Sequence, residues 1–295
     1  MSITNAIVNY RRFLKRRNYS PCTVKNYLNS LKHFVVWVNV PIERVSQHKV
    51  TEYIDYLLEK RLKAKTINLH LARIRVFYDY LYHEEEIKVI NPVKKGTNLR
   101  LSKPLPKHLK DEEVKALFNV IRKPRDRAIF KVMLRCGLRV EEVSDLALTD
   151  IDLKRRKIHV RNGKGNKDRV VYISQDTHIA LLEYLRRRPQ SRAKKIFLVE
   201  KGTSIGEPIS VRGIQKRIEY YARKARLKVS CHHLRHTMAT QLLNADAEIE
   251  TIQDLLGHNR ITTTERYLTV SNLKVKRDYY RAMEKVLKKL QESSK

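Results

Sequence analysis

The sequence lacks the long apolar segments of membrane and secreted proteins. No run of 18 apolar residues occurs, and the longest apolar cluster, around Phe34 to Val40, is far too short to span a bilayer. The first residues contain no apolar stretch followed by a small-residue cleavage site, so no signal peptide is predicted. We therefore expect a cytoplasmic protein with no membrane partner.

Cysteine is scarce. Cys22, Cys136 and Cys231 are odd in number and widely spaced, and no CxxC pair occurs. This pattern argues against a disulfide framework and against a cysteine zinc site. It fits a protein of a reducing cytoplasm.

Acidic residues are outnumbered two to one. The chain carries 63 Lys and Arg against 31 Asp and Glu, which gives a net charge of +32. Such an excess destabilises a compact fold by self-repulsion unless a counter-charge is present, so a polyanionic partner is indicated. The basic residues are spread through helical segments and are not gathered beside an apolar anchor, which favours nucleic acid over a membrane surface.

The first hundred residues show helical periodicity. Ser20 followed by Pro21 predicts the start of one helix, and a second helix begins near Lys65. Apolar residues recur at three- and four-residue steps in both. These residues are Val24, Leu28, Leu31, Val35 and Val38 in the first helix, and Ile67, Leu71, Ile74, Phe77 or Tyr78, and Leu81 in the second.

The opposite faces of these helices are polar and basic. A solvated surface explains such a face as well as a DNA contact does, and the overall charge favours the DNA contact. The candidate DNA-binding residues are Lys25, Asn29, Lys32, Lys65, Asn68, Arg73 and Arg75, with Arg212 and Lys216 as further candidates in the second half of the chain.

A basic segment divides the chain. Asn91 precedes Pro92, and a residue before proline avoids the helical conformation. Residues 94–107 are rich in lysine and contain two prolines, which predicts an extended linker. We expect a helical domain over 1–93, a linker over 94–107 and a larger domain over 108–295, in accord with a length that favours two domains.

The larger domain is predicted to be mainly α-helical with a small β-sheet. Acidic residues from Asp111 begin one helix, and a second helix ends at Gly137. Two β-branched runs, 157–161 and 169–173, flank a segment that begins Asn162-Gly163 and predict a hairpin. From Ser210 onward the pattern is mostly helical.

Three short motifs contain residues suited to phosphate chemistry. They are CGLRVEE at 136–142, HHLRH at 232–236, and LLGHNRITTTERY at 255–267. His232 and His236 also have a metal-ligand spacing, but no Glu follows the first histidine as in a zinc protease helix. Arg235 on the same helix face would repel a divalent cation. We expect His236 to be a hydrogen-bonded structural residue and His233 to point elsewhere.

Taken together, in this order and spacing, the motifs resemble those of the tyrosine recombinase family, the phage integrase and Xer group. The resemblance covers nearly the whole chain, from the Ser20–Tyr27 helix to the residues beyond Tyr267. Cys231 departs from the proline that often precedes the first histidine of the second motif. The implied fold is a two-domain DNA clamp, with a helical core-binding (SAM-like) domain and a mixed α/β catalytic domain.

The resemblance also implies the catalytic residues. They are Arg139, Lys164, His232, Arg235, His258 and Tyr267, with Glu142 as a supporting acid and Lys167 as a rival to Lys164. Tyr267 would form a 3′-phosphotyrosyl bond, two arginines would bind the phosphate oxygens, and a lysine would protonate the leaving 5′-hydroxyl. No metal and no other cofactor is expected, because the arginines supply the positive charge.

The implied partners are double-stranded DNA and three further copies of the chain. An amphipathic pattern runs from Leu273 through Tyr279 or Tyr280 and Met283 to Leu290. It predicts a terminal helix that packs either on its own catalytic domain or on a neighbouring subunit of a cyclic tetramer. The absence of an extra N-terminal arm-binding domain favours an Xer-like or transposon-borne enzyme over a lambda-type integrase. The alternatives are a type IB topoisomerase, a DNA-binding regulator without catalysis, and a metal-dependent nuclease.

Overall fold

The computed structural model describes residues 3–102, 107–161 and 168–257, together with Thr264, Tyr279 and Met283. The chain divides into two compact units, Met1–Lys103 and Pro104–Lys295, and this division falls within the predicted linker. Within the described residues, no helix is long and apolar enough to cross a membrane.

The first unit is helical. Its helices are α1 (Ile3–Arg16), α2 (Pro21–Val38), α3 (Gln47–Glu59) and α4 (Ala64–His83). The predicted start of α2 is confirmed, because the Ser20 side chain accepts a hydrogen bond from the Thr23 backbone N–H at 3.2 Å and Pro21 occupies the first helical position.

The apolar faces of these helices form the core of the first unit. Val24, Leu31 and Val38 of α2 are buried, while Leu28 and Val35 are half-buried. In α4, both Phe77 and Tyr78 are buried. The aromatic rings of Tyr10, Phe13, Phe77 and Tyr80 pack together and join α1 to α4.

The second unit is mixed α/β. Its helices are α5 (Asp111–Val120), α6 (Pro124–Arg135), α7 (Val140–Asp145), α8 (Gln175–Arg187), α9 (Val211–Lys224), α10 (Cys231–Asn244) and α11 (Ile249–Leu256). Its strands are β1 (Ile151–Asp152), β2 (Lys157–Val160) and β3 (Arg169–Tyr172), which form an antiparallel sheet in the order β1-β2-β3. The mainly helical fold with a small sheet is therefore confirmed.

The predicted hairpin is also confirmed in its pairing. Ile158 lies opposite Val171 and Val160 lies opposite Arg169. Ile158, Val160 and Val171 are buried, so position 169 belongs to the inward face of β3. Strand β1 was not predicted, because two residues are too few to show an alternating pattern.

Buried ionic contacts join distant elements of the second unit. Asp126 of α6 is fully buried and accepts hydrogen bonds from Arg125, from Arg217 of α9 and from the Tyr221 hydroxyl. Arg125 also donates to the Leu198 carbonyl oxygen at 3.0 Å. These partners satisfy a carboxylate that would otherwise be costly to bury.

Candidate active site

Arg139 lies at the start of α7, two residues after Gly137, where α6 has ended. Gly137 has a φ of +67°, and a Cβ there would come within 2.8 Å of the Met238 sulfur, so glycine lets this turn approach α10 closely. The Arg139 backbone N–H donates to Glu142 at 2.8 Å, and its Nη1 donates to the other oxygen of the same carboxylate at 2.7 Å. Glu142 therefore caps α7 and orients the guanidinium of Arg139.

Arg139 retains donors for a further ligand. Its Nη2 lies 3.3 Å from the Gly257 carbonyl oxygen. Its Nε has no hydrogen-bond partner among the residues that the structure describes. The side chain is 17% exposed, so part of the guanidinium can contact a molecule in solution. An anion with several oxygens would satisfy the remaining donors.

A second arginine holds Glu142 from the opposite side. Arg169 Nη1 and Nη2 donate to the two carboxylate oxygens at 2.9 and 2.8 Å. Burial alone raises the pKa of the Glu142 carboxyl, but the hydrogen bonds and charges of Arg169 and Arg139 lower this pKa to about 2. Glu142 is thus an anion, and two cations share it.

Arg235, on α10, joins the first and third motifs. Its side chain is nearly buried, with 5% of the residue exposed. Nη1 donates to the Gly137 carbonyl oxygen and Nη2 to the Leu256 carbonyl oxygen. These carbonyls belong to the turn before Arg139 and to the end of α11. A planar fork with fixed donor directions suits this bridge better than a lysine does.

His232 is placed toward the same region. It is the second residue of α10, the helix that carries Arg235, and it is exposed. Together with Arg139, Glu142, His159 and Arg161, it lines a cleft of about 790 Å³. A solvent-exposed imidazole beside two arginines could accept or donate a proton on a bound phosphoryl substrate.

The other two histidines of the second motif are less exposed than His232. His233 is half-buried, and its Nδ1 accepts a hydrogen bond from the Ser230 backbone N–H at 3.3 Å. Burial lowers the pKa of His233, which favours the neutral acceptor form. His236 is half-buried, and its carbonyl oxygen accepts a hydrogen bond from the Thr240 hydroxyl. His233 therefore caps α10.

Several predicted site residues lie outside the described residues. These are Lys164, its rival Lys167, His258, Tyr267 and most of the predicted terminal helix. Described neighbours adjoin them in the chain. Gly257 precedes His258 and is the C-cap residue of α11, with a φ of +58°. Its carbonyl oxygen accepts a hydrogen bond from Arg139. Of the terminal helix, Tyr279 and Met283 are helical and are 59% and 36% exposed.

The predicted DNA-binding residues of the first unit fall into two groups. Lys25, Asn29, Lys32 and Lys65 are exposed on α2 and α4. The other three are half-buried and make hydrogen bonds within the unit. Asn68 donates to and accepts from the backbone of Leu99, Arg73 donates to Ser30, and Arg75 donates to the carbonyl oxygens of Val93 and Lys94.

The two candidates in the second unit lie on α9 and are exposed. Arg212 is 3.3 Å from Glu219 in an ion pair in which both side chains are more than half exposed. Such a pair contributes little and would yield readily to a phosphate. Lys216 follows one turn later on the same face.

Arg169 is the site residue that the sequence analysis missed. From the sequence alone, Arg169 is the first residue of a predicted strand. The available signal was alternation: Val171 and Ile173 point inward, so Arg169 points inward as well, and a charged residue on a buried face needs a partner. The identity of that partner, 27 residues earlier in the chain, carries no local signal.

Comparison with known proteins identifies relatives of the whole chain. Residues 107–274 match the phage integrase family, and residues 7–85 match the phage integrase N-terminal SAM-like domain. The tyrosine recombinase XerC of Staphylococcus haemolyticus is 32% identical over 287 residues, which cover 93% of this chain and 95% of the relative. The tyrosine recombinase XerA of Thermococcus kodakarensis is 31% identical over 292 residues, covering 97% and 99%.

Solved structures show the same fold. One is the XerH site-specific recombinase bound to a palindromic difH substrate in a post-cleavage complex, with a TM-score of 0.74 and 21% identity. The match covers 89% of this chain and 80% of that one. The similarity therefore extends through both units.

Proposed function

This chain belongs to the phage integrase family and is a site-specific tyrosine recombinase, and we propose that it cuts and rejoins double-stranded DNA through a covalent bond to Tyr267. The observation that carries the proposal is the pairing of Arg139 and Arg169 with one carboxylate, Glu142, while Arg235 binds the carbonyl oxygens of Gly137 and Leu256. Together these residues form a fixed cationic group beside an open cleft. A phosphodiester under attack develops negative charge on its non-bridging oxygens, which such a group stabilises.

We propose that Arg139 and Arg235 bind the scissile phosphate. Their guanidinium groups are held by backbone carbonyls at Gly257, Gly137 and Leu256, so they need little reorganisation when the substrate binds. Donors that are already in place stabilise the transition state more than flexible ones do. Glu142 orients Arg139 and stays ionised.

The remaining roles are assigned from the family motifs. The Tyr267 oxygen forms a bond to phosphorus while the bond to the 5′-oxygen breaks. His232 takes the phenol proton, His258 donates a hydrogen bond to the phosphate, and Lys164 gives a proton to the leaving 5′-hydroxyl. The energy of the broken linkage is kept in the phosphotyrosyl bond, so rejoining needs no ATP and no metal.

We propose that both units bind DNA. The domain limits are those predicted from the sequence, with 94–107 as the linker, and the chain divides within this linker, between residues 103 and 104. Lys25, Asn29, Lys32 and Lys65 supply exposed contacts from the first unit, and Arg212 and Lys216 from the second. Phosphate contacts would supply most of the affinity.

The half-buried residues of α4 are proposed to act indirectly. Asn68 and Arg75 use their hydrogen bonds to hold residues 93–99 against α4, and Arg73 lies against the Tyr27 ring at 5.9 Å while it donates to Ser30. Through these contacts, Asn68, Arg73 and Arg75 would shape the DNA-binding face of the first unit.

We propose that the active form is a cyclic tetramer on two paired sites, in the cytoplasm, with the terminal helix docked on a neighbouring subunit. Tyr279 and Met283 lie on the predicted apolar face of that helix and are exposed in the single chain, which supports docking in trans. The three cysteines are free, as a reducing compartment would leave them.

Three experiments separate this function from the alternatives. DNA that is covalently trapped on the protein in cells is recovered and sequenced, which identifies the site. A plasmid with two such sites should then give recombinant products, whereas a type IB topoisomerase would relax any plasmid and yield no recombinants. Strand cleavage should continue undiminished in EDTA, whereas a metal-dependent nuclease would stop. A catalytically silent regulator would bind the site and leave no covalent adduct.

A further inference from the structure

We propose that Arg169 is a positioning residue for DNA cleavage. It fixes the position of the phosphate-binding Arg139 relative to the end of α11, which precedes His258. The inference rests on the proposed function, since it assigns a residue to that same reaction. Arg169 would act through Glu142 and would not contact the DNA.

The contacts of Arg169 reach two other elements. Its two terminal nitrogens donate to both oxygens of Glu142 on α7, and its Nε donates to the Leu255 carbonyl oxygen on α11 at 2.9 Å. Its side chain also lies against Gly257, because a Cβ on that residue would be 3.1 Å from Arg169 Cδ. One side chain from β3 therefore spans the gap between α7 and α11.

Each of these contacts lies close in the chain to a proposed catalytic residue. Glu142 follows Arg139 by three residues, and Leu255 precedes His258 by three. Arg169 itself follows Lys164 by five residues. Among the described residues, α7, which follows Arg139, and the end of α11, which precedes His258, thus meet at one guanidinium. A displacement of this group would move the phosphate-binding Arg139 relative to the end of α11.

Stability alone does not account for this arrangement. The side chains of Arg169 and Glu142 are 10% and 6% exposed, and the desolvation cost of a buried ion pair offsets much of its attraction. Two arginines also share one carboxylate, which leaves the group with an excess positive charge. A bound phosphate would neutralise that charge, so the cluster is complete only with substrate.

The chain offers a matched control for the loss of a buried arginine. Arg125 is 7% exposed, donates twice to the Asp126 carboxylate and donates once to the Leu198 carbonyl oxygen. It therefore has the same kinds of partner as Arg169, and no contact joins it to those proposed catalytic residues that the structure describes. Arg125→Lys and Arg169→Lys both keep the charge and lose the planar fork.

The test measures single-turnover formation of the covalent complex on a nicked oligonucleotide that carries the trapped site. We expect Arg169→Lys to slow this step by about 10- to 100-fold, as displacement of a neighbouring group does in other sites. The affinity for the uncleaved site should stay within about 3-fold, because Arg169 makes no DNA contact. Arg125→Lys should cleave at the wild-type rate.

A second substrate separates positioning from support of the fold. A methylphosphonate at the scissile position has a neutral methyl group in place of one non-bridging oxygen and carries no negative charge, so its cleavage depends less on Arg139. If Arg169 acts through Arg139, the loss caused by Arg169→Lys should shrink to less than about 3-fold on this substrate. An equal loss on both substrates would assign Arg169 a merely structural role and overturn the proposal.

The remaining outcomes are also decisive. A wild-type rate for a folded Arg169→Lys overturns the inference and leaves the proposed function intact. A wild-type protein that forms no covalent complex contradicts the proposed function and, with it, the inference. If Arg169→Lys fails to fold, the double variant Arg169→Gln with Glu142→Gln removes both charges together. We expect the double variant to cleave the phosphodiester slowly and to lose much less of its rate on the methylphosphonate, as Arg169→Lys does. A wild-type rate of the double variant on the phosphodiester would overturn the proposal.

Discussion

The carboxylate of Glu142 and the guanidinium of Arg169 face each other in a two-pronged ion pair, with nitrogen–oxygen distances of 2.9 and 2.8 Å. On its other side, the same carboxylate accepts hydrogen bonds from the backbone and side chain of Arg139. A single buried anion thus joins strand β3 to the start of α7, and its protonation would release both arginines.

The first prediction concerns the pH dependence of folding. The pKa of Glu142 falls from its usual 4.5 to about 2 in the folded protein, because the contacts of Arg169 and Arg139 outweigh the burial that would raise it. A lowered folded-state pKa stabilises the protein above the unfolded value, and that stabilisation is lost as the pH falls toward the folded value. Relative to Glu142→Gln, the wild type should lose about 3 kcal/mol of unfolding free energy between about pH 5 and 2.

Urea unfolding of the two proteins across this range measures the difference. The difference in unfolding free energy between the wild type and Glu142→Gln should be constant above about pH 5.5, because the carboxyl is then ionised in the unfolded chain as well. A difference that does not change between neutral and acidic pH would mean that Glu142 is not held as an anion by its two arginines.

The second prediction separates exposed DNA contacts from internal ones. Lys32 is exposed on α2, whereas Arg75 holds the carbonyls of Val93 and Lys94. Lys32→Gln should reduce the slope of log affinity against log salt by about 0.9, the value of one lost phosphate contact. Its melting temperature should not change.

Arg75→Ala should lower the stability of the protein and leave the salt dependence of DNA binding unchanged. The loss of the Arg75 side chain leaves two carbonyl oxygens unpaired. The free energy of unfolding should fall by about 1–3 kcal/mol, and the melting temperature should fall by several degrees. The salt slope should stay near the wild-type value. Filter binding at four salt concentrations and thermal unfolding would measure both quantities. A full unit of salt slope lost in Arg75→Ala would instead make this residue a direct phosphate contact.

How much the sequence predicts depends on how local each signal is. The start of α2 at Ser20 and Pro21 was predicted because capping and periodicity are properties of neighbouring residues. The β2–β3 hairpin was predicted for the same reason. Strand β1 was too short to leave a pattern. Asn68 and Arg75 looked like solvent-facing residues because their partners, residues 93–99, lie 18 to 31 positions further along the chain.

The candidate site follows the same rule. Arg139, Glu142, His232 and Arg235 were predicted from short motifs, and the structure brings Arg139 and Glu142 into direct contact. The structure also shows what holds them, which the motifs do not contain. Arg169 reaches Leu255 across 86 residues and Arg235 reaches Gly137 across 98. Contacts of that range depend on the packing of the whole unit.

The third prediction identifies the general acid of the hairpin segment. Lys164→Ala should abolish cleavage of an ordinary phosphodiester, because the leaving 5′-oxygen then receives no proton. It should recover on a substrate whose 5′ leaving atom is sulfur, since a thiolate leaves without protonation. Lys167→Ala is the matched control and should show no such recovery. If Lys167→Ala is the variant that sulfur rescues, the two lysines must exchange roles.

The fourth prediction concerns the terminal helix. A chain that ends at Asn272 should stay folded and bind a single half-site, because the described core of the catalytic unit lies before that point. It should fail to assemble paired sites and should lose recombination, with altered strand cleavage. Circular dichroism, gel shifts and a recombination assay on one preparation would measure these outcomes.

A milder variant controls for the deletion. Tyr279→Lys with Met283→Lys keeps the helix and adds charge to two exposed positions. It should also fail to pair sites, because a charge on the docking face disfavours burial against a neighbour. If the truncated chain unfolds, the helix belongs to its own core; if it recombines normally, the helix has no part in assembly.

The most direct test of the proposed recombinase mechanism is covalent capture at Tyr267. The wild type, incubated with a nicked oligonucleotide that carries the trapped site, should give a slower, protease-sensitive band on a denaturing gel. Tyr267→Phe should bind the same DNA with unchanged affinity and give no such band, while Tyr279→Phe, a change at an exposed tyrosine of the same terminal segment, should give it in full. An adduct of normal yield from Tyr267→Phe would contradict this mechanism, because the nucleophile would then be another residue.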